Sequence, residues 1–203
     1  MRIIAGERRG HKLEGPKRQA RPTSDLVRES IFNILSEVVE DRPIVDLFAG
    51  TGALGLEALS RGGLRALFVE RDRGNIEVIH RNIAHLRYED RTTAMPGDAY
   101  RWMKSGEISA SEPIVVLIDP PYRDYENQTK RLSTALAYLT GRLPGGSIVV
   151  LEGPEHGGEE CLSPAVSWDV RYYGGTMIAV GVIAGEPVTE DEMPAEPTAT
   201  SPD

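Results

Sequence analysis

From residue 44 onward, short apolar runs alternate with segments whose apolar positions recur at helical spacing. The apolar runs predict strands at 44–48, 66–70, 92–95, 114–118, 147–151, 166–173 and 176–183. The segments between the first five runs predict helices at 53–60, 72–86 and 128–139. Because strands that alternate with helices pack as a mostly parallel sheet covered on both faces, the sequence predicts an α/β fold. Gly174-Gly175, between the last two strands, predicts a terminal antiparallel hairpin.

The charges of this chain are unevenly distributed along its 203 residues, although the net charge is −8. Residues 1–28 contain eight basic and three acidic side chains, whereas residues 184–203 contain six acidic side chains and no basic ones. The sequence predicts a basic N-terminal arm or hairpin at 1–22, one folded domain at 23–183 and a disordered acidic tail at 184–203. Such an arm can attract nucleic-acid phosphates even in an acidic protein, because charges farther apart than about 8–10 Å are screened at cellular salt.

The helix that opens the folded domain is predicted to start at Thr23 or Ser24, either of which can cap it. Its apolar positions recur at helical spacing as far as Val38. No apolar run in the chain approaches the roughly 20 residues that span a bilayer. The first residues also lack the apolar core of a secretion signal. The single cysteine, Cys161, excludes an intrachain disulfide and a zinc cluster, so we expect a cytoplasmic protein with no metal and no membrane contact.

A glycine-rich loop follows the first predicted strand and opens the next predicted helix. It reads Asp46-Leu47-Phe48-Ala49-Gly50-Thr51-Gly52-Ala53-Leu54-Gly55. Glycines at this point let the chain turn sharply and let a ligand approach the backbone. The loop therefore predicts a ligand site, and its G-x-G-x-x-G spacing alone would also fit a dinucleotide.

Two acidic residues follow the next two predicted strands. Glu70 lies about 20 residues beyond the glycine loop, where an acid accepts hydrogen bonds from ribose hydroxyls. NAD and S-adenosylmethionine both contain a ribose, so Glu70 indicates a nucleoside-containing ligand without distinguishing the two. Asp98 follows Gly97 after the third strand, where it is placed either to accept from an adenine amino group or to cap a turn or helix.

The motif Asp119-Pro120-Pro121-Tyr122 directly follows the strand at 114–118. Its prolines remove two N–H donors, so carbonyl oxygens, notably that of Pro120, are left to accept hydrogen bonds. Asp119 adds a carboxylate acceptor and Tyr122 an aromatic face, and this set fits a base with an exocyclic amino group. Acceptors that draw the amine toward tetrahedral geometry return its lone pair to nitrogen, which can then attack a sulfonium methyl group. The motif thus predicts methyl transfer to a base nitrogen.

Four segments together resemble the bacterial 16S rRNA guanine-N2 methyltransferases, a family of class I enzymes that depend on S-adenosylmethionine. They are residues 1–6 (MRIIAG), 21–35 (RPTSDLVRESIFNIL), 46–61 (DLFAGTGALGLEALSR) and 119–122 (DPPY). The resemblance implies a Rossmann-like, seven-stranded, mostly parallel sheet with helices on both faces, a terminal antiparallel hairpin and a small N-terminal extension. It also implies that the protein acts on 16S rRNA within a partly assembled small ribosomal subunit, and we expect it to act as a monomer.

The resemblance further implies a role for each matching residue. The residues expected to bind S-adenosylmethionine are Asp46, Phe48, Ala49, Gly50, Thr51 and Gly52 at its methionine part, Glu70 at the ribose, Asp98 at the adenine, and Thr23 near its pocket. The residues expected to form the catalytic base pocket are Asp119, Pro120, Pro121 and Tyr122. Of the residues expected to bind RNA, Arg21 and Arg28 lie in a matching segment, and Arg8, Arg9 and Lys12 are expected to do so because they belong to the basic arm. Leu26 departs from the family, which usually has a basic residue at that position.

Three other functions stay open at this point. An adenine-N6 methyltransferase would use the same 119–122 pocket, although the segment 21–29 and the lack of a separate DNA-recognition domain argue against it. An NAD-dependent oxidoreductase would use the G-x-G-x-x-G spacing, but His156 lies in a glycine-rich loop and makes a poor hydride-handling residue. A non-catalytic ribosome-assembly module would keep the fold and lose the motifs, which here are intact.

Overall fold

The computed structural model of the protein describes residues 1–15, 25–36, 38–106, 108 and 112–185. Its strands are β1 Pro43–Leu47, β2 Arg65–Glu70, β3 Thr92–Pro96, β4 Val115–Ile118, β5 Ile148–Pro154, β6 Ser167–Tyr173 and β7 Thr176–Val182. Its α-helices are α1 Asp25–Ile34, α2 Ala53–Ser60, α3 Arg73–Leu86, α4 Ala99–Ser105, α5 Tyr122–Asn127 and α6 Thr129–Thr140. The seven strands form one sheet in the order β3-β2-β1-β4-β5-β7-β6.

The predicted alternation of strands and helices is confirmed, and the differences lie at the ends of elements. The helix predicted to run through Val38 ends at Ile34, and the chain then tightens so that the Val38 N–H donates to the Leu35 carbonyl. This turn keeps Leu35 and Val39 in the core. The short helices α4 and α5 are present in the structure and were not predicted from the sequence. The predicted cap Thr23 or Ser24 and all but the first two residues of the predicted acidic tail lie outside the described residues.

β1 lies between β2 and β4 and runs parallel to both. Leu47 pairs with Val69 on one side and with Ile118 on the other. β3 extends this parallel arrangement by pairing with β2. Because parallel strands end at the same edge of a sheet, the loops that follow β1, β2, β3 and β4 come together there. This carboxyl edge carries the glycine loop, Glu70, Asp98 and the motif at 119–122.

An apolar layer covers each face of the sheet. One layer packs α1, α2 and α3 against strand residues such as Ile44 and Phe68. The other packs α4 and α6 against strand residues such as Val45 and Val116. Every residue of β1 and β4 is buried, which explains why these strands read as continuous apolar runs rather than as alternating ones. No helix of the described residues is long and apolar enough to cross a bilayer.

The terminal hairpin closes the sheet with antiparallel pairing. Gly174 and Gly175 have φ angles of 56° and 82°, which a two-residue turn between twisted strands requires. β7 pairs antiparallel with β6 and also with β5, where Ile148 lies opposite Val182. The predicted terminal hairpin is therefore confirmed, and its second strand is inserted between β5 and β6.

The N-terminal arm forms a short hairpin. Arg2 and Lys12 form an antiparallel bridge, and the Ile3 N–H donates to the His11 carbonyl at 3.0 Å. Ile3 and Leu13 are buried in the same apolar layer as α1 and α2. Of the two predicted forms, hairpin and loose arm, the structure has the hairpin.

The hairpin is held on α2 by a buried carboxylate. Glu57 accepts the Ile4 N–H at 2.7 Å and the Ala5 N–H at 3.0 Å. Arg61 donates to the same carboxylate at 2.8 Å, and the Arg28 Nε lies 3.9 Å from it. Since the N–H groups of Ile4 and Ala5 belong to the backbone, the main chain of the hairpin, and not only its side chains, is bonded to α2.

We predict that Gly6→Ala releases this hairpin. Gly6 has a φ of +80°, and a Cβ there would lie 1.7 Å from the Ser60 carbonyl oxygen, so the chain must move away from α2. The expected loss in free energy of unfolding is about 1–3 kcal/mol, as for other overpacked sites. Urea unfolding and limited proteolysis of the arm would measure it.

Gly10→Ala is the matched control for this prediction. Gly10 has a φ of +86°, but a Cβ there would have nothing within 4 Å, so the substitution adds backbone strain without a clash. Equal destabilisation and equal protease sensitivity in the two variants would show that the contact with Ser60 does not hold the hairpin.

Candidate active site

The loops at the carboxyl edge are joined by backbone hydrogen bonds. The Ala49 N–H donates to the Val69 carbonyl at 3.2 Å, which ties the glycine loop to β2. The Gly97 N–H donates to the Glu70 carbonyl at 2.9 Å, and the Asp119 N–H to the Leu47 carbonyl at 3.3 Å. The structure thus brings together four segments that the sequence predicts to be functional and that are spread over about 75 residues.

The glycine loop adopts left-handed backbone conformations. Phe48, Gly50 and Gly52 have φ angles of 61°, 55° and 79°. A Cβ built on Gly50 would meet only the Phe48 carbonyl oxygen at 3.9 Å, so the space beside Gly50 is open to a ligand. A Cβ on Gly55 would lie 2.5 Å from the Phe68 ring, so this glycine permits the close packing of α2 on the sheet. The glycines therefore serve both ligand access and helix packing.

Glu70 fixes the glycine loop from β2. One carboxylate oxygen accepts the Gly50 N–H at 2.8 Å, and the other accepts the Asp72 N–H at 2.7 Å. A carboxylate has about four acceptor positions, so Glu70 keeps capacity for further donors such as hydroxyl groups. Its predicted contact with a ribose stays a prediction, and the structure adds a second role in shaping the loop.

Asp46 is a buried carboxylate within β1. It accepts the Gly55 N–H at 2.9 Å, which links β1 to the first turn of α2. Burial raises the pKa of Asp46 well above its ordinary value; the Gly55 N–H opposes this rise, and the nearby Asp119 and Glu70 carboxylates add to it. A ligand that carries positive charge at this edge would relieve the repulsion among the three acids.

Asp98 caps α4, one of the two roles that the sequence left open. Its carboxylate accepts the Tyr100 N–H at 2.8 Å and pairs with Arg131 at 2.9 Å. Arg131 also lies over the Tyr100 ring, 4.1 Å from its centre, and Phe48 contacts the same ring edge-on at 5.1 Å. The side chains of Arg131, Tyr100 and Phe48 thus form a chain of contacts from Asp98 to the glycine loop. The predicted adenine contact of Asp98 stays a prediction.

The Asp119–Tyr122 motif leads from β4 into α5. Asp119 is half-buried and lies near enough to influence the pKa of Asp46 across the strand pair. The Pro121 carbonyl accepts the Asp124 N–H at 2.8 Å and so starts the helix. The Tyr122 hydroxyl lies 3.1 Å from the Thr176 hydroxyl, which fixes the position of its ring. The predicted base pocket therefore adjoins the glycine loop.

The basic residues predicted to bind RNA occupy different environments. Arg9 and Lys12 are exposed on the hairpin. Arg8 is half-buried, donates to the Leu86 carbonyl at 2.9 Å and lies over the Tyr88 ring. Arg21, like Thr23, lies outside the described residues.

The buried position of Arg28 does not fit the direct RNA contact that the sequence predicts for it. Its side chain is 0% exposed, and its guanidinium donates to the Arg2 carbonyl at 2.7 Å and to Asp25 at 2.8 Å. Burial lowers the pKa of Arg28, and the Asp25 and Glu57 carboxylates oppose this. Arg28 therefore joins α1 to the hairpin. Leu26 on the same helix is 62% exposed, so it places an apolar side chain on the surface.

Sequence reasoning missed two residues beside the site. Asn82 on α3 is 2% exposed and donates to the Thr51 carbonyl of the glycine loop at 3.0 Å. Asn82 lies on the same inward face of α3 as Ile79 and Ile83, and this position in the sequence predicts a buried polar side chain. Arg131 gave no such sign, because Asp98 and Tyr100, its partners at the site, lie at the start of another helix.

Two further features lie apart from the carboxyl edge. A cavity of about 320 Å³ between the hairpin and α1 is lined by Arg2, Ile3, Ile4, Arg9, Gly10, Asp25 and Glu29. No strand loop lines this cavity, so we do not assign the reaction to it.

Cys161 is buried and burial raises its pKa to about 11, which makes it a poor nucleophile. In the part of the chain that the structure describes, no group of three or more potential ligands could hold a metal ion.

The first five strands follow the order 3-2-1-4-5 of the dinucleotide-binding sheet, and the fold differs from that sheet by β7, which is inserted antiparallel between β5 and β6. The solved structure of the Escherichia coli protein yhhF, a candidate methyltransferase, has a TM-score of 0.75 at 29% identity. That similarity covers 92% of this chain and 99% of the other. Fold and site together define a class I methyltransferase, a class that takes its methyl group from S-adenosylmethionine. The oxidoreductase alternative is therefore wrong.

The chain belongs to the family described as conserved hypothetical protein 95, which matches residues 1–181. The Bacillus subtilis protein YlbH, a candidate rRNA methyltransferase, is 32% identical over 181 residues, or 89% of this chain and 97% of that protein. The Escherichia coli ribosomal RNA small subunit methyltransferase D is 40% identical over 129 residues, or 61% of each chain. The family resemblance drawn from the sequence motifs is thereby confirmed.

We predict that Asp46→Asn changes how stability depends on pH. The asparagine keeps an acceptor for the Gly55 N–H but has no charge. In the wild type, the folded state holds a proton on Asp46 that the unfolded state releases above about pH 4. Wild-type stability therefore falls as pH rises from there toward the raised pKa, and the variant lacks this part of the slope. Urea unfolding across a pH series would measure the difference.

Asp169→Asn is the control for this pH series. Asp169 is exposed on β6, and its hydrogen bond to Arg171 lowers its pKa, so its small effect has the opposite sign. Parallel pH profiles for the wild type and Asp46→Asn would contradict the assignment of a raised pKa to Asp46.

Proposed function

We propose that the protein transfers the methyl group of S-adenosylmethionine to the exocyclic N2 of a guanine in small-subunit rRNA. The observation that carries this proposal is the position of Asp119-Pro120-Pro121-Tyr122 beside the glycine loop, with Asp119 bonded through its N–H to Leu47 of β1. A set of hydrogen-bond acceptors next to a nucleoside-type site suits the methylation of an amino group.

The residues at the carboxyl edge fit S-adenosylmethionine by their charge. This molecule has a positive sulfonium and an ammonium group, and the pKa of Asp46 is raised by burial and by the neighbouring Asp119 and Glu70 carboxylates. Positive charge from the ligand would stabilise all three carboxylates. Asp46 and the loop at 46–52 would hold the methionine part, Glu70 the ribose and Asp98 the adenine. When bound, the cofactor supplies an electrophilic methyl group.

The chain's own contribution to the reaction is to hold the amine and receive its proton. Asp119 and the Pro120 carbonyl accept the two N–H groups of the amine and direct its nitrogen lone pair toward the glycine loop. Tyr122, held by its hydroxyl contact with Thr176, stacks on the flipped base. Asp119 or water takes the proton that the nitrogen loses. Most of the rate comes from this alignment, which is worth up to about 7–11 kcal/mol.

The choice of rRNA as substrate is supported by the relatives and by the hairpin. The Escherichia coli relative bears a name that specifies ribosomal RNA of the small subunit. Arg9 and Lys12 expose positive charge on a hairpin that is fixed to the folded domain, as a phosphate-binding surface requires. We extend the proposal to a cytoplasmic monomer that acts on 16S rRNA within a partly assembled small subunit.

We predict that Asp119→Ala lowers the methylation rate by about 100-fold or more, the usual effect of removing one preorganised hydrogen bond from an active site. S-adenosylhomocysteine binding, followed by calorimetry, should persist because the glycine loop and Glu70 are unchanged. Asp119→Asn keeps an acceptor oxygen and should retain more activity than the alanine variant. Wild-type activity in Asp119→Ala would remove the basis of the proposed pocket. Such a result would favour a non-catalytic role for this motif.

We further predict that cells without this protein lack one N2-methylguanine in their small-subunit rRNA. Mass-spectrometric mapping of rRNA from deletion and parent cells would locate it, and expression of the wild type, but not of Asp119→Ala, should restore it. Loss of an N6-methyladenine instead would assign the pocket to adenine. An unchanged methylation map would contradict the choice of substrate.

A further inference from the structure

One buried side chain bonds both the glycine loop and the N-terminal hairpin. The Asn82 amide nitrogen donates to the Thr51 carbonyl at 3.0 Å and to the Glu14 carbonyl at 3.2 Å. The Asn82 amide oxygen accepts the Glu14 N–H at 2.8 Å. This orientation of the amide pairs its nitrogen with two acceptors and its oxygen with a donor, so the arrangement is internally consistent. Both amide hydrogens and the oxygen are engaged at once.

The two partners belong to segments with different proposed tasks. Thr51 lies in the loop that would hold the cofactor, between Gly50 and Gly52. Glu14 follows Leu13, a buried residue of the hairpin that would contact RNA. All three bonds go to backbone groups, so they depend on where the main chain lies at Thr51 and Glu14. A shift of either segment breaks bonds at Asn82 and leaves buried polar groups unpaired, at a cost that other parts of the structure would have to offset.

Neighbouring contacts each hold only the hairpin or only the glycine loop. Glu57 holds the hairpin on α2 through Ile4 and Ala5. Glu70 holds the loop at Gly50 from β2. Arg81, beside Asn82 on α3, pairs with the Glu14 carboxylate at 2.6 and 2.8 Å, but on the exposed surface. Asn82 differs from these residues because it bonds the loop and the hairpin with a single rigid group.

We propose that Asn82 is a positioning residue that couples cofactor binding to RNA binding. This inference rests on the proposed function. A ligand that fixes the glycine loop also fixes Thr51, and through Asn82 it fixes Glu14 and the end of the hairpin. RNA then meets an already ordered hairpin and binds more tightly. By linkage, RNA must strengthen cofactor binding by the same factor.

The experiment measures the affinity for small ribosomal subunits, purified from cells that lack the protein, with and without saturating S-adenosylhomocysteine. The ratio of the two dissociation constants is the coupling factor, and for the wild type we expect a value between about 5 and 150. Asn82→Asp keeps the shape and the acceptor for the Glu14 N–H, but turns a carboxylate oxygen toward two carbonyl oxygens. Asn82→Ala removes all three bonds. In both variants the coupling factor should fall to near one.

Arg81→Met is the matched control. It removes the surface ion pair with Glu14 and leaves the Asn82 bonds in place, and exposed ion pairs contribute little. Its coupling factor should equal that of the wild type. A variant that merely destabilised the fold would show a larger ratio, because saturating S-adenosylhomocysteine returns unfolded protein to the folded state, so a fall of the ratio toward one separates positioning from general stability. A wild-type ratio of one, or an unchanged ratio in the Asn82 variants, would overturn the inference.

Hydrogen exchange of the wild type provides a second test, which stands if the Asn82 variants do not fold. S-adenosylhomocysteine should slow exchange at the Leu13 and Glu14 amides and leave the β6–β7 turn unchanged. No protection at these amides would refute the coupling. A wild type that binds S-adenosylhomocysteine and methylates rRNA but shows no coupling would refute only this inference. A wild type that does neither would refute the proposed function as well.

Discussion

The position of β1 between two parallel neighbours is the constraint on which the rest of the structure depends. Leu47 must lie opposite Val69 and Ile118 if the loops after β1, β2 and β4 are to meet. Apolar burial on both faces gives little information about register, because a strand shifted by one residue would still be buried. Asp46 fixes the register that burial leaves open. Its carboxylate accepts the Gly55 N–H, which connects one position of β1 to one turn of α2. A carboxylate in an apolar strand thus fixes the site's geometry.

The attachment of the hairpin uses a second set of buried charges. Arg28 and Glu57 are both fully buried, and Glu57 also accepts backbone N–H groups of the hairpin. Buried ion pairs contribute little net stability, but removal of one partner is costly, on the order of 3–5 kcal/mol, because it leaves an isolated charge. Their effect is therefore to make one arrangement of hairpin and α2 far better than its alternatives. This explains why a basic residue near the proposed RNA surface faces inward.

Local pattern predicted most of the fold, and its failures follow from contacts distant in sequence. The strands, the glycine loop and the terminal turn were predictable because each depends on neighbouring residues. α4 and α5 were not, since helices of seven and six residues form only with caps such as Asp98 and with packing against other helices. The burial of Arg28 depends on a hairpin that folds back over α1. The partners of Asn82 lie 31 and 68 residues away, so its polar character was readable but its bonds were not.

The glycine loop combines two unfavourable features that a ligand can relieve. Phe48 has a positive φ of 61°, a conformation that costs a non-glycine residue about 1–3 kcal/mol. Asp46 is buried near two other carboxylates that disfavour its charged form. A protein keeps such features where they assist binding, because a ligand that binds only the folded state stabilises it by mass action. The Thr51 carbonyl in this loop is bonded to Asn82, and the same amide is bonded to Glu14 of the hairpin. Because the amide keeps all of its hydrogen bonds in only one arrangement of the two segments, ordering of the loop also orders the hairpin.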